Sequence, residues 1–514
     1  MLWVTRLSKK PELTLELAAP PVAKGAGPAV VTTAPEDGGT AVKKEGFTRR
    51  HFLRSMGAMA AAASFPSAFV RGAQQAGKPN IILCMADDLG WGDPGFNGNE
   101  VIETPHLDAM ARESLRFTRF YSGAPVCSPT RGSCLTGRHP YRYGIYFANV
   151  GHLRRQEVSL AEALKTQGYT TGHFGKWHLG TLSPDYSGKG RGRNPAKNYM
   201  TPGISGFDEW FSTEYAVATW DPYDPANAHG KKHDVRNLYW HNGTNVTEKL
   251  EGDDSRIIMD RVLPFVRKAV RDATPFLAVV WFHAPHAPVV AGPEYRKMYS
   301  AYSEDEQHYY GCITAMDEQV GRLRDELRRL NAAENTMLWF CSDNGPEGKD
   351  GKSGRYRGSA GPFRGRKRSL FEVGTRVPAL LEWPARIDGG RVTDVPCSTL
   401  DYFPTVLDAL GFRMAGQPEP IDGVSLLPVV ENGATARSVP IAFESGKQVA
   451  LTDNRYKIYS KDSGSSYALY DLIADPGETI DLAAEKPDVL AEMKAKLQAW
   501  RASCKRSDAG RDYR

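Results

Sequence analysis

Asp87-Asp88, Cys127, Lys176 with His178, His286 and Asp343-Asn344 follow one another along the chain, most of them just beyond an apolar run. Asp87, Asp88, Asp343 and Asn344 offer only oxygen donors. That set suits a hard dication, Ca2+ or Mg2+, and lacks the imidazole and thiolate ligands that zinc prefers. Lys176, His178 and His286 are residue types that hold an anion or move a proton. Cys127 stands apart from the other six cysteines because Pro129 and Arg131 follow it closely. Taken singly these signals are weak. Asp-Asn-Gly is an ordinary turn, and Asp-Asp after a strand is often a structural turn or cap. Their occurrence together, in this order, points to one site.

The elements that must position these residues alternate. Residues 78–86 carry a continuous apolar run that predicts a buried central strand ending at Asp87. Thr104 is placed to cap a helix opened by Pro105, with Leu107, Met110 and Leu115 on its apolar side. Residues 117–121 read as a short strand leading towards Cys127, and 160–165 as helix. Residues 168–180 read as strand then loop, and 276–282 as a strand ending near His286. A long amphipathic helix is expected over 304–330, and a strand over 336–341 that ends at Asp343. Helices alternating with apolar strands predict an α/β fold, a large mostly parallel sheet sandwiched by helices, with chemistry at the strands' C-terminal ends. Residues 183–254 are rich in Gly, Pro and Asn and contain Trp210, Phe211, Tyr215, Trp220, Tyr223 and Trp240. They are expected to form substrate-facing loops. From about Pro440 the pattern changes to short strands over 441–444, 449–452, 456–459 and 468–470, then a helix over 487–500. The expected division is therefore a catalytic domain over 78–439 and a smaller α+β domain, built on an antiparallel sheet, over 440–514.

At 514 residues, 41% hydrophobic and 24% charged, the composition is that of a soluble globular protein with room for a large core. The formal charge of +5 lies entirely in residues 1–77, which hold ten basic and five acidic residues. The remainder is neutral, which argues against nucleic-acid binding driven by net charge. Residues 48–70 resemble a twin-arginine export signal: Arg49-Arg50 precede an Ala-rich, moderately apolar run too short for a membrane span. No later run is long enough either, so the chain is not expected to be an integral membrane protein. It is expected to meet the twin-arginine translocase and to become periplasmic or secreted.

The twelve residues from Cys127 to Arg138, Cys-Ser-Pro-Thr-Arg-Gly-Ser-Cys-Leu-Thr-Gly-Arg, resemble the signature of the type I sulfatases. Tyr470-Asp471-Leu472 with Asp475-Pro476 resembles their small C-terminal domain, and the likeness runs from about Lys78 to Trp500. The chain is most similar to the arylsulfatase A and N-acetylgalactosamine-6-sulfatase branch. The resemblance implies an alkaline-phosphatase-like fold and hydrolysis of a sulfate monoester. It implies that a formylglycine-generating enzyme oxidises Cys127 to Cα-formylglycine, whose hydrated form attacks sulfur with one hydroxyl and expels sulfate with the help of the second. It implies that Asp87, Asp88, Asp343, Asn344 and residue 127 bind Ca2+, with Mg2+ as an alternative. Arg131 would stabilise the diol, and Asp343 would also take the proton of the attacking hydroxyl. Lys176 would bind sulfate, His178 would contact the diol and accept its second proton, and His286 would meet the leaving oxygen. In the family a second sulfate-binding lysine precedes an aromatic-Glu-Gly-Gly phrase by four residues. Lys367 precedes Phe371-Glu372-Val373-Gly374 in this way, with Val373 departing from the usual Gly.

Two rival readings remain. A formylglycine-dependent phosphonate or phosphodiester hydrolase typically carries Asp-His where this chain has Asp343-Asn344. A non-catalytic protein binding sulfated glycans would be expected to have lost one of Cys127, Arg131, Lys176 or Asp343. The aromatic residues of 183–254 would suit a sulfated polysaccharide or other sulfated carbohydrate better than a small aryl sulfate.

Overall fold

The computed structural model describes residues 77–228 and 238–513, which fall within one compact unit. The expected leader, with its export signal, lies outside the described residues.

Ile81, Leu83 and Met85 project to one face of the strand Asn80–Ala86 (β1), and Ile82, Cys84 and Ala86 to the other. Both faces are buried, which is why the run is continuously apolar instead of alternating. Leu115–Tyr121 (β2), Thr170–Lys176 (β3), Glu209–Thr213 (β4), Tyr239–His241 (β5) and Thr244–Asn245 (β6) join the same sheet. So do Phe276–Trp281 (β7), Thr336–Ser342 (β8), Arg376–Glu382 (β9), Arg391–Thr393 (β10) and Cys397–Ser398 (β11). The order of the eleven-stranded sheet is β10-β2-β9-β8-β1-β7-β3-β4-β5-β6, with β11 beside β2. Its central strands β8, β1, β7, β3 and β4 are parallel, while β9 and β5 run against their neighbours. Register sets Met85 beside Trp281 and Ala86 beside Ser342. The residues that follow β1, β7 and β8 therefore emerge together at one edge, the place where open α/β sheets hold their ligands.

Helices Pro105–Glu113, Asp254–Arg271 and Glu304–Arg329 pack on one face. Helices Cys127–Thr136, Leu160–Lys165 and Tyr402–Ala409 pack on the other. Ile441–Ser445 (β12), Gln448–Thr452 (β13), Tyr456–Ser460 (β14) and Ala468–Asp471 (β15) form a separate antiparallel sheet in sequential order. One of its faces packs Phe443, Ala450 and Tyr470 with Tyr121, Leu370 and Leu400. The other packs Leu451, Ile458 and Leu469 against Met493 and Leu497 of helix Pro487–Asp508.

Four local expectations are corrected. Thr104 makes no cap with its side chain; the first turn of Pro105–Glu113 is capped from a distance, with Asp317 accepting from His106 N and Leu107 N at 3.0 and 2.7 Å. Leu115 opens β2 instead of extending that helix. The last helix continues beyond Trp500 to Asp508, because Ser503, Ser507 and Asp508 near its end bond Arg142 and Arg154. Residues 183–254 are not all loop, since β4 and β5 extend the main sheet and Trp210 and Phe211 are core. None of the seven cysteines forms a disulfide, and among the described residues no helix is long and apolar enough to cross a membrane.

Candidate active site

The ends of β1 and β8 bring three carboxylates together. Asp343 N donates to Ala86 O (3.1 Å), and Asp88 N donates to Asp343 Oδ1 (3.2 Å), so the sheet register carries on into the site. Asp88 takes a left-handed backbone, φ +66°, which turns its side chain towards Asn344; Asn344 Nδ2 donates to Asp88 Oδ1 at 2.6 Å. Asp87, Asp88, Asp343 and Asn344 are all at most 2% exposed.

Cys127 is the first residue of helix Cys127–Thr136, every residue of which is buried. Pro129 is tolerated because the first-turn N–H groups have no intrahelical acceptor. Gly132 is required by close approach, since a Cβ there would lie 2.5 Å from the Tyr143 hydroxyl. Gly137 closes the helix at φ +68° with its N–H on Ser133 O. Arg138 is buried against Glu157 (3.1 Å) and Asp512 (2.7 Å). One turn along from Cys127, Arg131 reaches back to the carboxylates, with Nη2 2.6 Å from Asp343 Oδ2 and 3.6 Å from Asp87 Oδ1. Its guanidinium lies over the Trp281 ring at 5.1 Å.

The remaining nitrogen-bearing groups come from strand ends and loops. Lys176, the last residue of β3, places Nζ 2.5 Å from Asp87 Oδ2. His178 follows in a left-handed conformation, φ +58°, with Nε2 2.8 Å from Asn149 Oδ1. His286 Nδ1 must donate to the Ala287 carbonyl (2.6 Å), so Nε2 is the nitrogen that faces Asp88 at 3.6 Å. Lys367 Nζ straddles Asp88, 2.6 and 2.8 Å from its two oxygens. The loop carrying Lys367 is bracketed by Gln448 of β13, which donates to Arg368 O (2.8 Å) and accepts from Leu370 N (3.0 Å). Arg368 itself is left-handed at φ +72°. Val373 is accommodated because its backbone is helical; the following Gly374 is the constrained position, where a Cβ would lie 1.7 Å from Ser369 O.

Cys127, Lys176, His178, His286 and Lys367 line one cavity of about 650 Å3, together with Asn149, Tyr215, Arg355, Tyr356 and Arg368. The carboxylates lie behind this surface, paired with Lys176 and Lys367. Burial alone would raise the Asp88 carboxyl, but Lys367, then His286 and Lys176, hold it well below the usual carboxylate range. Burial and the neighbouring Asp87 push Asp343 up to about 7 against the pull of Arg131. Burial would lower Lys367, yet Asp88 keeps it above the ordinary lysine value. Burial also raises the Cys127 thiol, opposed by Lys176 and Lys367. His178 is pushed well down by burial and by Lys176 and Arg191.

The donor set fits a hard dication. Asp87 Oδ1 and Asn344 Oδ1 are buried oxygens with no hydrogen-bond partner. Donor atoms of Asp87, Asp343 and Cys127 lie within 4.8 Å of one another. Two partnerless oxygens beside two further carboxylates are what an oxygen-ligated cation would satisfy.

All ten residues singled out in the sequence converge on this site. The cavity wall is a different matter: of the six aromatic residues expected to face a substrate, only Tyr215 lines it, while Phe147 and Tyr356 do so from outside that stretch. Asn149 and Gln448 were equally unmarked, because each acts through contacts distant in sequence that no local pattern records.

A sequence model of the family described as Sulfatase matches residues 79–412, and one described as N-sulphoglucosamine sulphohydrolase, C-terminal, matches residues 361–503. The chain is 34% identical over 403 residues to N-acetylgalactosamine-6-sulfatase of Homo sapiens, covering 74% of this chain and 71% of the relative. It is 32% identical over 437 residues to arylsulfatase G of Rattus norvegicus, covering 77% and 78%. The crystal structure of Ps i-CgsB superposes with a TM-score of 0.70 at 29% identity, over 82% of this chain and 92% of that one.

Proposed function

This chain belongs to the sulfatase family, and on that premise we propose that it hydrolyses a sulfate monoester borne by a carbohydrate, releasing inorganic sulfate and the free hydroxyl. The observation that carries the reading is the cavity floor, where Cys127 is surrounded by Lys176, Lys367, His178 and His286 with three carboxylates behind them. Such a floor offers ammonium and imidazole groups to the oxygens of a small anion held against residue 127. In this reading residue 127, converted to Cα-formylglycine, supplies the nucleophile and the means of releasing sulfate. Ca2+ or Mg2+ held by Asp87, Asp88, Asp343 and Asn344 supplies Lewis acidity.

The chain's own residues do the rest. Lys176 and Lys367 are buried ammonium groups that can hold sulfate oxygens while remaining paired to Asp87 and Asp88. Arg131 fixes Asp343 and keeps positive charge beside the helix start that carries residue 127. Asp343 is the carboxylate placed to take a proton from the attacking group. His286 Nε2 is the atom that faces the leaving sugar oxygen, because Nδ1 is committed to a carbonyl; burial pulls the ring down to about 3, so it would pass on a proton there only after taking one up with the substrate. Export by the twin-arginine route fits this chemistry. That translocase carries folded proteins, whereas residue 127 sits in a wholly buried helix and must be modified before the fold closes.

The test is a panel of sulfated mono- and oligosaccharides, with a phosphonate monoester as the contrasting substrate, scored by released sulfate or alcohol. Sulfate release from at least one sulfated sugar, with negligible turnover of the phosphonate, is expected. Turnover of the phosphonate alone would overturn the reading.

A further inference from the structure

Asn149 joins three parts of the cavity that are far apart in sequence. Its backbone is left-handed, φ +62°, a conformation Asn adopts more readily than most residues. Its N–H donates to Ser128 Oγ at 3.3 Å, next to Cys127 at the start of the helix. Its Oδ1 lies 2.8 Å from His178 Nε2, and its side chain lines the cavity. His178 is 2% exposed, and its other nitrogen, Nδ1, is buried with no partner in the protein.

Two arrangements satisfy the 2.8 Å contact. In one, Nε2–H donates to the amide oxygen of Asn149 and Nδ1 is a bare lone pair. In the other, the amide NH2 donates to Nε2 and the proton sits on Nδ1. The second leaves a buried N–H without an acceptor, beside a ring whose charged neighbours are the cationic Lys176, Arg191 and Arg131. A lone pair is favoured in that field and an N–H dipole is not. Neutral histidine has only these two tautomers, and the partner of one nitrogen selects the state of the other.

We propose that Asn149 is a positioning residue that holds His178 in the Nε2–H tautomer, so that Nδ1 is the proton acceptor His178 offers the reaction. The tautomer itself stands on the contacts and surroundings of the ring, independent of what the cavity turns over. Its consequence for turnover rests on the sulfatase reading, where an acceptor beside residue 127 is needed for release of the product anion. The left-handed backbone makes a clean separation possible. Asn149→Gly keeps the conformation and the N–H to Ser128 and removes only the amide. Asn149→Asp keeps an acceptor oxygen at the same place.

The first measurement is the two-bond 1H–15N spectrum of the full chain labelled with 15N-histidine, with the His178 signals assigned by their loss in His178→Gln. Wild type and Asn149→Asp should show His178 protonated at Nε2, and Asn149→Gly should show a mixture of tautomers. The second is steady-state kinetics on a sulfate ester. For Asn149→Gly, kcat should fall on the order of 10- to 100-fold with KM little changed, and Asn149→Asp should recover part of the loss. A wild-type proton on Nδ1, or an unchanged His178 spectrum in Asn149→Gly, overturns the proposal. Absence of sulfatase activity in wild type would overturn the functional reading and leave the tautomer result standing.

Discussion

Asp87, Asp88 and Asp343 sit on the ends of β1 and β8, and the hydrogen bonds that place them continue the sheet: Asp343 N to Ala86 O, Asp88 N to Asp343 Oδ1. Lys367, His178 and His286 face them from loops, and what places those groups is borrowed from elsewhere in the chain. Gln448 brackets the Lys367 loop from the C-terminal sheet. Asn149 meets His178. His286 N donates to His283 O, and His283 is itself fixed between Asp254 (2.6 Å) and Thr213 (2.7 Å) in a fully buried relay. The carboxylate side is therefore part of the fold's core, where removing a charge disturbs stability. The cationic side is tuned by single contacts, where a change disturbs alignment first.

The largest effect belongs where the two sides meet. Cys127→Ala should abolish sulfate release while thermal unfolding stays near wild type, since the replacement is small and the site is already packed; substantial residual turnover would mean another nucleophile. On the carboxylate side, Asp343→Ala leaves buried Arg131 with Asp87, at 3.6 Å, as its one carboxylate partner. Loss of one partner of such a buried pair should cost about 3–5 kcal/mol in denaturant unfolding. An Asp343→Ala protein as stable as wild type would break the contrast.

On the loop side, burial pushes Glu214 up to about 7, against the opposing effects of Ser187 and Arg191. Its main-chain oxygen accepts from His178 N (3.1 Å). A carboxyl whose folded pKa exceeds the unfolded value of ~4.3 contributes stability that is complete below that value and is lost as pH rises through about 7. Wild-type stability should therefore decline between these limits, and Glu214→Gln should flatten the decline, by at most about 4 kcal/mol. A steeper decline in the variant would contradict the sign. The smallest effect on stability is expected at Gln448. Gln448→Leu removes two hydrogen bonds to the Lys367 loop, about 1–2 kcal/mol together, and should raise KM more than it lowers Tm. Equal unfolding losses in Gln448→Leu and Asp343→Ala would show that the two sides are held alike.

The same division marks what could be read from the sequence. β1 and β8 are continuous apolar runs buried on both faces, so their ends, and with them Asp87, Asp88, Asp343 and Asn344, were visible as strand ends. The dodecapeptide around Cys127 was visible through its resemblance, and its Gly132, Gly137 and Arg138 now have structural reasons. β4 and β5 were missed because they are short strands in a Gly- and Pro-rich stretch, so Trp210 and Phe211 looked like substrate-facing aromatics. Thr104 looked like a cap, but Asp317 on another helix does the capping. Asn149 and Gln448 left no trace because a single amide has no periodicity, and each contact joins segments far apart along the chain.

The central claim is that residue 127, as a hydrated aldehyde and not a thiol, is the working nucleophile of this cavity. The most direct measurement is peptide mass spectrometry across Cys127 on preparations made with and without a formylglycine-generating enzyme, each paired with its rate of sulfate release. The account predicts that activity rises in proportion to the fraction converted and vanishes when conversion is absent. Full activity in a preparation whose Cys127 is entirely thiol would contradict it.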